Sequence, residues 1–192
     1  MVEYQFYVGD KVPPVSTYEF HEHRARAPHL DQPMHRARLL AVARTIREMH
    51  PESVTDLGCG DGGLLSLIRD IPSRGYDFQP ANMEGWTERQ VTARALDFVA
   101  HPEDIVWGEL TVITEVLEHL ADPHGMVESI SHNSKYIVAS SPYGETAEQH
   151  AEEHAWGWDM HGYQQMFNTH WIVTAHFMLD WCQILTARSK YL

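Results

Sequence analysis

Basic side chains are scarce in this 192-residue chain: 14 Lys and Arg stand against 27 Asp and Glu, a formal charge of −13. The imbalance peaks between residues 95 and 160, where thirteen acidic residues accompany Lys135 alone. Binding along a phosphate backbone draws on Lys and Arg contacts, so this stretch is a poor nucleic-acid face; a solvated acidic surface accounts for many of its carboxylates. Cysteine is scarcer still. Cys59 and Cys182 show neither metal-ligand spacing nor a disulfide framework, which predicts free thiols in a reducing compartment and no nucleophilic role for Cys59. No run of about 18 apolar residues and no signal-peptide pattern occurs, so neither a membrane span nor export is expected and the cytoplasm is the default. Internal repeats and low-complexity tracts are lacking too. What remains, 43% hydrophobic and 21% charged, is an ordinary globular composition with room for one substantial core.

Residues 1–32 carry Pro13-Pro14, scattered aromatics and His21, His23 and His29 with no sustained period. They are expected to form an N-terminal arm or a substrate lid ahead of a domain spanning 33–192. From Pro33 the spacing of Met34, Ala37, Leu39, Leu40, Ala43, Ile46 and Met49 predicts a helix ending near His50-Pro51. Ser53–Leu57 reads as a strand, Leu64–Ile68 as a helix stopped by Pro72-Ser73-Arg74-Gly75, and Tyr76-Asp77 as the end of a second strand. Val91–Ala95, Leu110–Thr114 and Lys135–Ser140 are further strand-like runs, spaced for parallel crossovers. Trp171–Met178 and Trp181–Ala187, separated by Leu179-Asp180, predict a terminal antiparallel strand pair. The fold class expected is α/β, mostly parallel with that antiparallel pair.

The most informative segment is Val54-Thr55-Asp56-Leu57-Gly58-Cys59-Gly60-Asp61-Gly62, an apolar strand running into a glycine turn before a helix. Glycines let a backbone approach a ligand, and a helix start offers free N–H groups. Asp77, about twenty residues on at the end of the second strand, is placed for ribose hydroxyls. Spacing alone leaves a nicotinamide dinucleotide open, but the turn departs from G-x-G-x-x-G and Asp61 would repel a phosphate. Asp56, Gly58, Gly60 and Gly62 match the acidic-x-Gly-x-Gly-x-Gly motif of the class I S-adenosylmethionine-dependent methyltransferases. Over about residues 33–190 the chain resembles that superfamily, which implies a Rossmann-like sheet and S-adenosylmethionine as cofactor. The resemblance makes Asp77 the ribose ligand and Asp97-Phe98 the adenine-contacting segment.

Thr114-Glu115-Val116-Leu117-Glu118-His119-Leu120 begins where the fourth strand should end, on the ligand side of an α/β sheet. One helical turn would put Glu115 on a face with Glu118 and His119, an oxygen-and-nitrogen set suited to Mg²⁺ or Mn²⁺. The alternative is that the carboxylates cap a helix and His119 makes a local hydrogen bond. Glu115 is counted with both the cofactor and the metal residues. This segment and the later His154-Ala155-Trp156-Gly157-Trp158 resemble the Glu-x-x-Glu-His and His-x-aromatic elements of methyltransferases that modify the 3′-terminal ribose of small RNAs. The region Pro33–Arg38 resembles a Pro-Leu-x-x-Gln-Arg element of the same enzymes. The likeness implies Glu115, Glu118, His119 and His154 as metal ligands, with Glu118, His119 and His154 catalytic. Ala37 stands where that family has Gln, and Gly157 where it has an acidic residue.

Tyr18, His21, His23, Tyr143, Trp156, Trp158 and His161 are candidates for a substrate mouth, and Arg24, Arg26, Arg36 and Arg38 for an anionic group. The readings, in order, are O-methylation of a small molecule, metal-dependent 2′-O-methylation of an RNA 3′ end, and a non-catalytic relative that binds a partner.

Overall fold

The computed structural model describes the backbone of Gln5–Tyr7, His21, and residues 23–146, 148–151 and 153–192. Pro13-Pro14, Tyr18 and Glu152 lie outside the described residues. In chain order the elements are β1 (Gln5–Tyr7), α1 (Pro33–Met49), β2 (Val54–Leu57), α2 (Gly63–Leu67), β3 (Ser73–Asp77), α3 (Met83–Glu88) and β4 (Ala93–Ala95). There follow β5 (Leu110–Thr114), α4 (Pro123–Asn133), β6 (Tyr136–Pro142), β7 (Trp156–Trp158), α5 (Met160–Asn168), β8 (Trp171–Leu179) and β9 (Cys182–Ser189). Short 3-10 turns, one of them Leu117–His119, link several of these. The strands make a Rossmann-like, mixed and mostly parallel sheet flanked by helices. Two compact units divide the chain: Tyr18–Ile113, and Met1–Thr17 with Thr114–Leu192.

In the first unit, Pro33 starts α1 because its fixed φ suits the first helical position and its missing N–H is no loss there. The helix buries Leu39, Val42, Ala43 and Ile46, each large apolar side chain contributing about 1.5–3 kcal/mol. Met34 and Leu40, expected on that face, are exposed instead, because the buried stripe turns toward Val42 and Arg38. His50 in the left-handed region and Pro51 end the helix. Strands pair in parallel in the order β4-β3-β2-β5. β2 is buried at every residue, so it reads as a continuous run rather than an alternation. Its buried Thr55 is satisfied: Oγ1 donates to Val106 O at 3.0 Å and accepts from Gly108 N at 2.8 Å.

Two strand boundaries differ from expectation. Pro72–Gly75 is not simply a break, since Ser73, Arg74 and Gly75 already pair with Val54, Thr55 and Asp56. Val91 and Thr92 lie outside β4, because Gln90 is left-handed (φ 51°) and Val91 N still bonds to Trp86 O at the end of α3.

In the second unit β6, β9 and β8 run antiparallel in that order. The expected terminal pair is present, reversing at Leu179–Cys182 with Asp180 at φ 51°. Two helices there start on aspartates whose carboxylates accept a backbone N–H: Asp122 from Gly125 for α4 and Asp159 from Gly162 for α5. α5 buries Tyr163, Met166 and Phe167. β7 pairs antiparallel with β1, Phe6 opposite Gly157. No helix among the described residues is long and apolar enough to cross a membrane.

Candidate active site

The glycine turn leaves β2 with Gly58, Gly60 and Gly62 all in the left-handed region, at φ 76°, 54° and 81°. Gly62 is also sterically constrained, because a Cβ there would meet Val91 Cγ2 at 2.6 Å. Asp77, at the end of β3, fastens the turn. One carboxylate oxygen accepts from Gly60 N at 2.9 Å; the other accepts from Gln79 N at 2.8 Å and Asn82 Nδ2 at 3.1 Å. A carboxylate offers about four lone-pair sites, so these three donors leave room for a ribose hydroxyl. Burial pushes the Asp77 carboxyl above its ordinary value, against the lowering effect of those three hydrogen bonds. Gly60 O accepts from Trp86 Nε1 at 2.7 Å, so both backbone groups of Gly60 are tied to the protein.

Asp56 is buried inside β2, and its carboxyl is pushed up to about 7 by burial, then by the Asp77 charge, with Arg38 pulling the other way. Asp61 does not project as a lone charge toward a ligand. It is 2% exposed and accepts from both Arg26 (Nε and Nη2, each 3.2 Å) and Arg89 (Nε 3.1 Å, Nη2 2.7 Å). Arg26 also reaches Glu88 at 2.5 Å. Arg26 is thus paired with two carboxylates, and Arg38 is buried. Asp97 Oδ1 caps the following turn, accepting from Val99 N at 3.1 Å and Ala100 N at 3.0 Å, and the Phe98 ring is buried.

A second constellation lies in the other unit. Glu118, His119 and His154 bring one ligand atom each within 4.8 Å of the others. The chain achieves this by folding Leu117–His119 into a 3-10 turn and bonding Ala155 N to Glu118 O at 2.8 Å. His119 Nδ1 lies 3.1 Å from the carbonyl of Glu153, which can only accept, so Nδ1 is the donor in that contact. His154 Nδ1 lies 2.7 Å from the Glu145 carboxylate, giving the same polarity when Glu145 is ionised. Burial acts to raise Glu145, but hydrogen bonds from His154 and Ala151 N hold it below its ordinary value. A carboxylate or carbonyl on the outer ring nitrogen is the arrangement that orients metal-binding histidines. Two nitrogens and a buried carboxylate fit a divalent first-row ion better than an all-oxygen one.

Glu115 stands outside this trio. Its backbone is left-handed (φ 55°), its N–H bonds to Ser140 O, and its Oε1 accepts from Ser140 Oγ at 2.6 Å. Trp156 and Trp158 lie nearly parallel, 4° between planes with centroids 6.2 Å apart; Trp158 is buried against Tyr163, while Trp156 is partly exposed and donates to Leu120 O. Burial, then the charges of Glu118 and Glu115, raises the Tyr163 phenol well above its ordinary value, so it stays neutral. Tyr143 and His161 are exposed; His150 bonds to Thr146 O; His21 bonds to Gln79. Sequence reasoning missed Asn82, Trp86 and Arg89 around the glycine turn, and Glu145 behind His154. The spacing of Glu145 from His154 carried no signal, because a loop joins them.

The glycine turn, its acid at the end of the next strand and the parallel strand order together give the fold of class I S-adenosylmethionine-dependent methyltransferases. Among solved structures the chain is similar to the N-methyltransferase NodS from Bradyrhizobium japonicum WM9 bound to S-adenosyl-L-homocysteine. The TM-score is 0.72 at 13% identity, covering 92% of this chain and 98% of that one. It is similar also to the methyltransferase domain of bacterial CtHen1 (TM-score 0.63, 16% identity, 81% and 98% covered). The [4+2]-cyclase SpnF shares the fold as well, at TM-score 0.63 and 11% identity over 78% and 80%. No family model and no curated protein matches the sequence.

Proposed function

We propose that this chain is a cytoplasmic S-adenosylmethionine-dependent O-methyltransferase acting on a small hydroxylated molecule, with Glu118, His119 and His154 holding a Mn²⁺ ion. The observation that carries the reading is the orientation of the two imidazoles. Both Nδ1 atoms lie at hydrogen-bond distance from protein acceptors, and one nitrogen of each ring lies within 4.8 Å of the other and of an oxygen of the buried Glu118 carboxylate. A cation bound there supplies Lewis acidity for deprotonating an acceptor hydroxyl. The side chains do the rest: Glu145 and the Glu153 carbonyl hold the rings, and Trp156 offers an apolar wall to a planar substrate. His154 and His119, if no cation is present, serve as the base through a ring nitrogen.

For the donor, Asp77 takes the ribose, Asp97 and Phe98 the adenine, and the turn Asp56–Gly62 the amino-acid end. The S-adenosyl-L-homocysteine complex of the similar NodS structure supports a donor of this class. Residues 1–32 are assigned the arm or lid; of its described residues, Arg26 bonds to Asp61, and Ala25 O accepts from Gln79 Nε2 at 3.0 Å. A small substrate is preferred because residues 95–160 carry thirteen acids and one Lys. The second reading, an RNA 3′ end, is favoured by the likeness to the CtHen1 domain and by the matching Glu-x-x-Glu-His run. SpnF is a reminder that the fold admits other chemistry.

The deciding experiment is methyl transfer to a phenol panel and to a 3′-terminal RNA, with and without Mn²⁺, on wild type, His119→Gln and His154→Gln. Transfer to phenols that depends on Mn²⁺ and on both histidines is expected. Transfer to RNA alone supports the second reading, and unchanged rates in both variants reject the metal site. Failure to bind S-adenosylhomocysteine by calorimetry would leave a partner-binding relative.

A further inference from the structure

A second group of ligating side chains lies on the outer face of α4, independent of the site above. Glu128 and His132 are four residues apart on that helix, hence one above the other on the same face. Val127, Ile130 and Ser131 face inward and leave both residues on the exposed side. His170 comes from the turn before β8, and one ligand atom from each of the three lies within 4.8 Å of the others. A tetrahedral ion with bonds of about 2.0–2.1 Å needs its ligand atoms about 3.4 Å apart, a closure that side-chain rotation on exposed Glu128 and His132 supplies.

The scaffold around this group is braced on three sides. Trp171, next to His170, is buried and its Nε1 donates to Val127 O at 3.0 Å, pinning the turn to α4. Lys190 N donates to His170 O at 3.1 Å, and Ser189 Oγ to Ser131 O at 2.7 Å. Tyr191 then sits over the group: its ring stacks on His132 at 4.3 Å, and its hydroxyl lies 2.9 Å from His170 Nδ1. With that hydroxyl accepting, His170 is set in the tautomer whose Nε2 lone pair points toward Glu128, 3.9 Å away. Lys190, the neighbouring cation, directs Nζ to the carbonyls of Asn168 and Thr169 rather than into the group.

From this juxtaposition we infer that Glu128, His132 and His170 form a second divalent-cation site, selective for a borderline ion of the Zn²⁺ type. Two imidazole nitrogens and one carboxylate oxygen match a three-ligand Zn²⁺ site with an open fourth position, whereas Mg²⁺ and Ca²⁺ prefer oxygen sets. Tyr191 is the outer partner that such a histidine requires. The bound ion ties α4 to the turn before β8, so its role is to lock these elements together.

Zn²⁺ stoichiometry by equilibrium dialysis on the full chain tests this, with His119→Gln/His154→Gln and His132→Gln/His170→Gln as separate double variants. The His132→Gln/His170→Gln protein is expected to lose one equivalent that the other pair retains, with an unchanged far-ultraviolet circular dichroism spectrum in the metal-free state. Glu128→His keeps that equivalent, and Tyr191→Phe weakens it about 10- to 100-fold. The wild type and the His119→Gln/His154→Gln protein should also show a Zn²⁺-dependent rise in Tm, since the ion binds the folded chain. An equivalent that survives His132→Gln/His170→Gln, or one indifferent to both Glu128→Gln and Tyr191→Phe, overturns the site and leaves an ordinary His–Glu surface pair.

Discussion

At the scale of single residues, Asp61 shows how a carboxylate's meaning depends on its partners. Read alone in a glycine turn, it argues for repulsion of phosphate; in the folded chain it is a buried hub between Arg26 and Arg89, whose side chains are 18% and 13% exposed. Removing one member of such a group leaves uncompensated buried charge, which costs about 3–5 kcal/mol in a fully buried pair. The partial exposure of the two arginines lowers this, and Asp61→Ala is expected to destabilise by about 2–3 kcal/mol in urea unfolding. A loss below about 0.5 kcal/mol, the range of ordinary surface changes, would contradict the hub. Asp77 has two duties, holding Gly60 and meeting a ribose. Asp77→Ala should weaken S-adenosylhomocysteine binding about 10- to 100-fold by calorimetry, the worth of one hydrogen bond to a charged group. Asp77→Asn should be the milder change, because an amide oxygen can still accept from Gln79 N and Asn82.

At the scale of elements, the three glycines of the turn share a sign of φ yet differ in crowding. Gly60 (φ 54°) has open space where a Cβ would stand, whereas Gly62 (φ 81°) has Val91 Cγ2 at 2.6 Å. Gly60→Ala thus carries backbone strain alone, about 1 kcal/mol, and Gly62→Ala carries strain plus overpacking, roughly 2–4 kcal/mol. Adding Val91→Ala to Gly62→Ala should recover part of the loss in thermal unfolding and do nothing for Gly60→Ala. The elements legible in the sequence were those with a strong local signal: β2 and β5 as short strand-like runs rich in β-branched residues, the start of α1 at Pro33, and the β8–β9 reversal. Those missed have no such signal. β7 is three residues long and exists by pairing with β1, about 150 positions away, while α5 begins in a Trp-rich stretch with a β-like composition. The trio Glu118, His119 and His154 was legible as a set of residues, whereas the acceptors behind the rings, Glu145 and the Glu153 carbonyl, come from loop geometry that residue types do not encode.

For the molecule as a whole, buried acids and part-buried imidazoles oppose each other in the pH dependence of stability. Asp56 is raised from 3.8 to about 7, mainly by burial, so its favourable contribution is full below pH 3.8 and is lost as pH rises to about 7. His29 is lowered from 6.5 to about 4, by burial, then by the charge of His35 and Arg38. Its contribution is full above pH 6.5 and is lost as pH falls through about 4. Burial also lowers His35 and His176, adding to the acid side, and raises Asp77, adding to the other. Each pKa unit corresponds to about 1.4 kcal/mol, so the Asp56 effect is of order 4–5 kcal/mol and the His29 effect of order 3–4, with opposite slopes across one window. Their sum predicts a shallow profile between pH 4 and pH 7, and single substitutions should uncover the slopes. Asp56→Asn, which cannot ionise, should gain stability over wild type as pH rises from 4 to 8, leaving a steeper loss toward acid. His29→Gln should gain over wild type in the reverse direction, toward pH 4. Urea midpoints measured across this range check both signs at once, and parallel profiles for wild type and both variants would show that neither group titrates as its burial requires.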